Sequence, residues 1–222
     1  MIDKDIKINV EAVKLQLLHQ KTSREYFKWP LTQQQAEDLL LAAYMAEVES
    51  RNRVYIDDSN TRNNISRIAG HLVAPKKFGL MLAGTCGNGK TSLLKAIQSA
   101  TNFLNLKYEV RSDKEEKIAI SIIDVKDIIA NCKDYQMMEV YKKTPYLGID
   151  DMGKEPKEVL DYGNVCNPVI DLIEYRYDKQ LTTFITTNLT PDEFKDKYGE
   201  RITDRFREMI EKIVFNDGSY RK

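Results

Sequence analysis

The sequence contains few cysteines, with three in 222 residues. Cys86, Cys132 and Cys166 lie far apart and do not form the closely spaced pairs that bind zinc. Their odd number and wide separation favour a reducing compartment. We therefore expect a cytoplasmic protein.

The sequence also lacks an excess of charge and a long apolar run. Basic and acidic residues each number 34, so nothing indicates a global attraction to nucleic acid, and any such contact must come from a local patch. No apolar run approaches membrane-spanning length, and the first five residues lack the basic and apolar regions of a signal peptide. We expect a soluble protein with no membrane partner. Its hydrophobic content of 42% is sufficient for a real core.

What the sequence does contain is the phosphate-binding template G-x-x-x-x-G-K-[S/T], which residues 84–91 fill at every fixed position. The run 78–83 before it is short and apolar, as a buried strand is, and residues 92–98 have apolar side chains at helical spacing. The alternative is a glycine-rich turn between a strand and a helix. The pattern predicts ATP or GTP binding, with Lys90 at the β- and γ-phosphates and Thr91 on Mg²⁺. The predicted nucleotide-binding residues are Gly84, Thr85, Cys86, Gly87, Asn88, Gly89, Lys90, Thr91 and Ser92.

Predicted strands and helices alternate along the rest of the chain. This alternation predicts an α/β fold with a parallel sheet and helices on both faces. Ligands of such sheets bind beyond the carboxyl ends of the strands, where Gly84, Asp150 and Asn188 fall. Residues 106–117 form an extension between the first helix and the second strand. The predicted strands cover residues 78–83, 117–123, 146–150, 181–187 and 213–215, and a helix is predicted over 165–177.

The first 65 residues are predicted to form a small helical region that binds a partner, followed by an ATPase domain over 66–222. Thr32 and Gln35 predict a capping box at a helix start, and Asp124 predicts a cap on a later helix. The apolar helical faces of the first region either pack on the chain's own core or dock a partner. The turn-rich residues 57–64 mark the boundary.

Two carboxylates end an apolar strand. Asp150 is predicted to hold Mg²⁺ through water beside Thr91, and Asp151 to orient or activate the attacking water. An Asp-Asp turn without such a role is the alternative. Glu155 is a second candidate for positioning that water, or a solvated loop residue. Asn188, at a strand tip, can sense the γ-phosphate or hold the water, or it can simply end the strand.

Arg201 and Arg205 lie four residues apart on one face of a predicted helix. An arginine that projects into a neighbouring subunit's site can stabilise the charge of phosphoryl transfer. A solvated, charged helix face is the alternative reading of this pair.

From about residue 68 to its end, the chain resembles the AAA+ ATPases of the DnaC/DnaI helicase-loader and IstB transposition-helper group. GTCGNGKT matches their Walker A motif, YLGIDDMGKEP their Walker B motif and TTN their sensor 1. The segment YGERITDRFREMIEKIVFNDGSYRK is similar to box VII and the short C-terminus of the DnaC type, and it is the most specific of these pieces. The resemblance implies an AAA+ P-loop NTPase core with a parallel five-stranded sheet, and it implies that the C-terminal helical lid is absent.

The resemblance also implies roles for arginines near the C-terminus. Arg205 would be the arginine finger, Arg201 its neighbour at the nucleotide, and Arg221 a substitute for sensor 2. Asp151 stands where many AAA+ proteins have a catalytic glutamate. The first 65 residues match no known region.

The function implied is that of an ATP-dependent DNA replication protein, a helicase loader that hydrolyses ATP with Mg²⁺ at subunit interfaces and delivers a replicative helicase to DNA. A homo-oligomer in the ATP-bound state and contact with single-stranded DNA are implied as well. Lysines and tyrosines within residues 133–146 either provide that contact or form a solvated helix with buried tyrosines. The alternatives are an IstB-like transposition helper with a transposase partner, a P-loop small-molecule kinase, and a scaffold that binds ATP without hydrolysis.

Overall fold

A computed structural model describes residues 9–20, 25–111, 114–161 and 164–216 of the chain. Within these ranges, a central sheet has five strands in the order β4-β5-β8-β1-β9, and every neighbouring pair is parallel. These strands are β1 (Gly79–Gly84), β4 (Ser121–Asp124), β5 (Tyr146–Met152), β8 (Thr182–Thr187) and β9 (Ile210–Phe215). The predicted α/β class and its parallel sheet are thus confirmed.

Helices cover both faces of this sheet. Leu80 and Leu82 of β1 pack into one core, while Met81 packs into the other, as the two-residue period of a strand requires. Helices α2 to α4 contribute to the first core, and α5 to α8 contribute to the second. The helices are α1 (Val10–Gln20), α2 (Gln33–Glu49), α3 (Ser59–Val73), α4 (Lys90–Leu104), α5 (Val125–Ala130), α6 (Tyr135–Lys143), α7 (Pro168–Asp178) and α8 (Pro191–Met209).

The segment before β1 takes part in the first core. Trp29 is 1% exposed, and its indole N–H donates to Thr101 Oγ1 of α4 at 3.2 Å. Leu40 of α2 is fully buried in the same core, whereas apolar residues of α1, Val10 and Leu17 among them, are mostly exposed. The apolar face of α2 therefore packs on the chain's own core. Residue 65 lies inside α3, and a partner-binding role for residues 1–65 remains a prediction.

Capping residues set several element boundaries. Thr32 and Gln35 form the predicted capping box, and Asp124 caps α5 as predicted. The predicted turn over 57–64 instead contains the start of α3, because Asp58 accepts a hydrogen bond from the Thr61 backbone N–H at 2.8 Å. The helix predicted from residue 165 begins later, at Pro168, which suits a first helical position.

Two short antiparallel hairpins interrupt the alternation of strands and helices. The extension over 106–117 forms the first hairpin, so the strand predicted over 117–123 joins the sheet only from Ser121. The second hairpin precedes α7. The hairpins consist of β2 (Lys107–Arg111) with β3 (Lys114–Lys117), and β6 (Val159–Asp161) with β7 (Asn164–Cys166). Over the described ranges, every helix is too short or too polar to cross a membrane.

Candidate nucleotide-binding site

A cleft of about 1170 Å³ lies at the carboxyl ends of β1, β5 and β8. This is the edge of a parallel sheet at which ligands bind. One wall comes from the phosphate loop and the strand ends, and the other comes from the C-terminal half of α2 and the segment that follows it. Residues of the first wall include Cys86, Gly87, Asn88, Gly89, Lys90, Thr91, Ser92, Asp151, Lys154 and Asn188. Residues of the second wall include Tyr44, Val48, Arg51, Arg53, Val54, Tyr55 and Ile56.

The N-terminus of α4 faces this cleft. Gly89 precedes the helix in a left-handed conformation, with φ at 87°, and it has no side chain with which to cap the first backbone N–H groups. A Cβ at this position would lie 2.6 Å from the Tyr44 hydroxyl oxygen, so the contact between α2 and the loop requires glycine. Uncapped N–H groups at the start of a helix form an anion site, as phosphate binding requires.

Lys90 lies folded against its own loop. Its ammonium group donates to the backbone oxygens of Gly84 at 2.9 Å and Thr85 at 2.7 Å, and to Asn88 Oδ1 at 2.9 Å. The side chain is 5% exposed, and this burial lowers the pKa of Lys90 to about 8, against the partial opposition of Asp151. Among the described residues, the Lys90 ammonium group is therefore bound only by neutral oxygens, which favours the binding of a negatively charged phosphate.

We expect nucleotide affinity to fall by about tenfold between pH 7 and pH 9, since Lys90 loses its proton near pH 8 and bound phosphates would restore its ordinary pKa. Because the pKa of Lys90 is lowered in the free cleft and would rise when phosphates bind, nucleotide binding above pH 8 must take up a proton. Isothermal titration with ADP in buffers of different ionisation enthalpy measures this uptake. Cys86→Ser is the control, because it changes another side chain of the same loop and leaves Lys90 in place. Constant affinity without proton uptake would contradict the assignment.

A bulge at the end of β5 positions the two predicted carboxylates. The pairing of β5 with β8 shifts register between Ile149 and Met152, and Asp151 has φ at 58°. Its backbone N–H donates to Thr186 Oγ1 at 2.8 Å, which fixes this conformation. Successive strand residues ordinarily face opposite sides of a sheet, and a bulge changes this direction. Asp150 therefore contacts the P-loop helix while Asp151 lines the cleft.

Asp150 and Thr91, the predicted magnesium ligands, are directly hydrogen-bonded. The Thr91 hydroxyl donates to Asp150 Oδ1 at 2.9 Å, and the Thr186 hydroxyl donates to the same oxygen at 2.5 Å. Magnesium prefers hard oxygens and binds with few protein ligands, substrate phosphates and water. A hydroxyl beside one carboxylate fits that donor set. Within the described residues there is no cluster of three or more His, Cys, Asp or Glu side chains able to hold a metal without a ligand's help.

Asn188 and Lys154 complete the phosphate end of the cleft. Asn188 directly follows β8 and lines the cleft, as its position at a strand tip predicts. The ammonium group of Lys154 forms an ion pair with the Asp151 carboxylate, and both side chains line the cleft. Sequence reasoning missed Lys154, although it stands three residues after Asp151.

Sequence reasoning also missed the second wall of the cleft. Tyr44 of α2 is 6% exposed, and its ring meets the Tyr55 ring edge-on with centroids 6.0 Å apart. The rest of this wall consists of exposed residues such as Arg53 and Val54. No motif marks these positions in the sequence, and only the tertiary packing of α2 against α4 places them at the cleft.

Glu155 does not line the cleft and requires a correction. Its side chain is buried, accepts a hydrogen bond from the Tyr198 hydroxyl, and accepts another from the Gly153 backbone N–H at 2.8 Å. Lys197 lies 3.6 Å from the same carboxylate. These partners direct Glu155 towards α8, so neither water positioning nor a solvated loop position describes it.

Arg201 and Arg205 also lie outside the lining of their own chain's cleft. Both pair with Glu174 Oε1 of α7 at 3.0 Å, and Arg205 also stacks over the Tyr177 ring at 5.0 Å. Action in a neighbouring subunit therefore remains a prediction. Arg221 lies outside the described residues.

The basic and aromatic segment over 133–146 does not form a continuous stacking surface. Tyr141 is buried, and its hydroxyl accepts a hydrogen bond from the Asn131 amide at 3.1 Å. Tyr146 packs against Phe27, with ring centroids 5.3 Å apart, while Tyr135 is exposed. The contacts of Tyr141 and Tyr146 support packing rather than base stacking at these two positions.

Comparison with known proteins finds similarity to helicase loaders. No family model matches the sequence. The replicative helicase loader DnaI of Bacillus subtilis (strain 168) is 26% identical over 152 residues, a match that covers 63% of this chain and 44% of DnaI. This chain therefore spans less than half of the length of that relative.

Solved structures give the same result. A DnaI crystal structure superposes with a TM-score of 0.56 at 26% identity, covering 76% of this chain and 88% of that one. The DnaC helicase loader superposes with a TM-score of 0.55 at 23% identity, covering 73% and 93%, and at this identity it supports the fold alone. The chain is thus similar to the DnaC/DnaI helicase loaders, and the AAA+ P-loop fold implied by its motifs is confirmed.

Proposed function

We propose that this protein is an ATP-driven helicase loader. Its phosphate loop, Asp151 and Asn188 line one cleft, and Asp150 binds Thr91 of that cleft, in a chain similar to the replicative helicase loader DnaI. That convergence carries the proposal, because each group has a separate task in ATP hydrolysis. The partner is then a replicative helicase, and the ligand is ATP with Mg²⁺.

Five residues at the phosphate end of the site have separate tasks in hydrolysis: Lys90, Thr91, Asp150, Asp151 and Asn188. Lys90 and the N-terminus of α4 bind the phosphates, while Thr91 and Asp150 would hold Mg²⁺, which neutralises charge on the β- and γ-oxygens. Asp151 orients water and accepts its proton as the water oxygen bonds to the γ-phosphorus. The bond from that phosphorus to the bridging oxygen breaks, and ADP leaves with the electron pair. Asn188 holds the water or the γ-phosphate.

The loading step requires assembly of several subunits. Arg205 of one subunit would complete the cleft of the next, so ATP would stabilise a homo-oligomer around single-stranded DNA. Residues 1–65 would hold the helicase. The exposed apolar side chains of α1 in that region support a docking role.

We expect ATP turnover per subunit to rise with protein concentration and to change when single-stranded DNA is added, because the site is completed between subunits. Steady-state phosphate release over a wide range of protein concentration measures this. Lys90→Ala is the control for contaminating activity, since it removes the phosphate-binding ammonium group. A rate that depends on neither protein concentration nor DNA would mean that each chain holds its whole site, and it would favour the small-molecule kinase.

A further inference from the structure

Lys154 occupies a position that the reaction above leaves unexplained. Its ammonium group pairs with the Asp151 carboxylate, the group assigned to the attacking water. The Lys154 backbone N–H also donates to the Asp151 carbonyl at 3.1 Å, which closes a tight turn between them. A carboxylate neutralised in this way is a poor acceptor for the proton of water. Hydrolysis therefore requires Lys154 to move.

The backbone around Lys154 is held on both sides, so the side chain is the part free to move. Thr187 Oγ1 donates to the Met152 carbonyl at 2.6 Å, and Lys197 Nζ donates to the Gly153 carbonyl at 2.9 Å. Glu155 is locked by Tyr198. The Lys154 side chain, by contrast, is 43% exposed and faces the cleft.

The charges around the phosphate loop indicate where this side chain goes. Lys154 and Lys90 line the same cleft, and the charge of Lys154 contributes to the lowered pKa of Lys90. The γ-phosphate of a triphosphate carries up to two negative charges and several acceptor oxygens, whereas Asp151 carries one charge. An ammonium group that reaches both therefore transfers to the γ-phosphate. ADP lacks the γ-phosphate.

We propose that Lys154 is the residue that detects the γ-phosphate of the nucleotide. In the free cleft it pairs with Asp151, and when a triphosphate binds, the ammonium group moves to the γ-phosphate and frees the Asp151 carboxylate for water. Lys154 thereby links recognition of ATP over ADP to activation of the site. This inference rests on the proposed function and adds a positioning residue to it.

The test compares Mg²⁺ complexes of ADP and of the ATP analogue AMPPCP by isothermal titration. Lys154→Met is expected to weaken AMPPCP binding by at least about tenfold, the contribution of a charge-assisted hydrogen bond, with ADP affinity retained within about twofold. Lys154→Arg keeps the charge and should retain most of the preference for AMPPCP over ADP. Lys157→Met, an exposed lysine of the same loop outside the cleft lining, is the matched control.

A double-mutant cycle with Asp151→Asn distinguishes movement of the Lys154 ammonium group to the γ-phosphate from a general effect of charge in the cleft. Removing the Asp151 charge frees Lys154, so it should tighten AMPPCP binding more in the parent than in the Lys154→Met background. Equal tightening in both backgrounds would overturn the inference, as would equal weakening of both nucleotides by Lys154→Met, or no weakening. Failure of the parent protein to bind either nucleotide would instead overturn the proposed function.

Discussion

Replacement of Arg205 by alanine is expected to lower ATP turnover by about 10³- to 10⁵-fold, the range of arginine fingers in other phosphoryl-transfer systems. Nucleotide affinity should change little, because Arg205 does not line its own chain's cleft. In the isolated chain, Glu174 and Asp178 hold its guanidinium group at 3.0 and 3.8 Å. The guanidinium group therefore lies between α7 and α8, away from the cleft of its own chain, and would have to leave these carboxylates to act in a neighbouring subunit.

Arg207→Ala is the matched control for this prediction. Arg207 lies on the same helix, is largely exposed, and pairs only loosely with Asp204 at 3.7 Å, so its removal should leave turnover near that of the parent. Affinity and turnover are measured on the same preparations, which separates loss of chemistry from loss of binding. Equal turnover by Arg205→Ala and the parent would rule out the arginine finger.

A mixing experiment tests whether Arg205 acts between subunits. Arg205→Ala subunits keep an intact cleft, while Lys90→Ala subunits keep the arginine but bind no phosphate. If Arg205 acts in a neighbouring cleft, a mixture of the two inactive variants should recover part of the turnover. A mixture as inactive as its components would place the action of Arg205 within its own subunit.

The phosphate loop could be predicted from sequence because local chain geometry fixes it. Gly89 supplies a left-handed conformation directly before the helix, and Lys90, the next residue, donates to the loop's backbone oxygens. The strand before the loop and the helix after it have their own periodic signals. Every element of this prediction lies within about thirty residues, so tertiary contacts had little to alter.

The direction of the two carboxylates could not be predicted in the same way. Alternation along β5 predicts that Asp150 and Asp151 face opposite sides of the sheet. A hydrogen bond from the Asp151 backbone N–H to Thr186 Oγ1, 35 positions away in sequence, fixes the bulge that changes this. Glu155 similarly depends on Tyr198, 43 positions away. Polar residues that follow a strand can be identified locally, but the partners that orient them come from distant parts of the chain.

The cleft wall that contains Tyr44 and Tyr55 could not be predicted from the sequence either. The sequence marks α2 as amphipathic, and its apolar face has two possible uses, core packing or partner docking. Only the packed structure decides between them, and it does so by placing the end of α2 beside Gly89. A region without motif chemistry thus forms half of the candidate site.

Arg176 should have the largest effect on stability. Its side chain is fully buried, and its guanidinium group donates to the Thr144 carbonyl at 2.7 Å, the Thr182 carbonyl at 2.6 Å and Thr183 Oγ1 at 2.9 Å. It also donates to the Tyr141 carbonyl at 3.1 Å. One side chain of α7 therefore joins the end of α6 to the start of β8.

Arg176→Met is expected to lower the free energy of unfolding by about 3 to 5 kcal/mol, because several buried carbonyls lose their donor at once. Urea unfolding, followed by fluorescence of the single buried Trp29, measures this change. Arg176→Lys should lose nearly as much, since one ammonium group cannot reach acceptors on both sides.

Lys179→Met provides the control for this stability measurement. Lys179 is exposed at the end of α7, so its replacement should change stability by less than about 0.5 kcal/mol. If Arg176→Met cost no more than this control, water or rearranged backbone would have to satisfy the carbonyls of Thr144 and Thr182. A measured loss of several kcal/mol would instead show that Arg176 anchors the start of β8, the strand whose Thr186 hydroxyl binds the Asp150 carboxylate and the Asp151 backbone N–H.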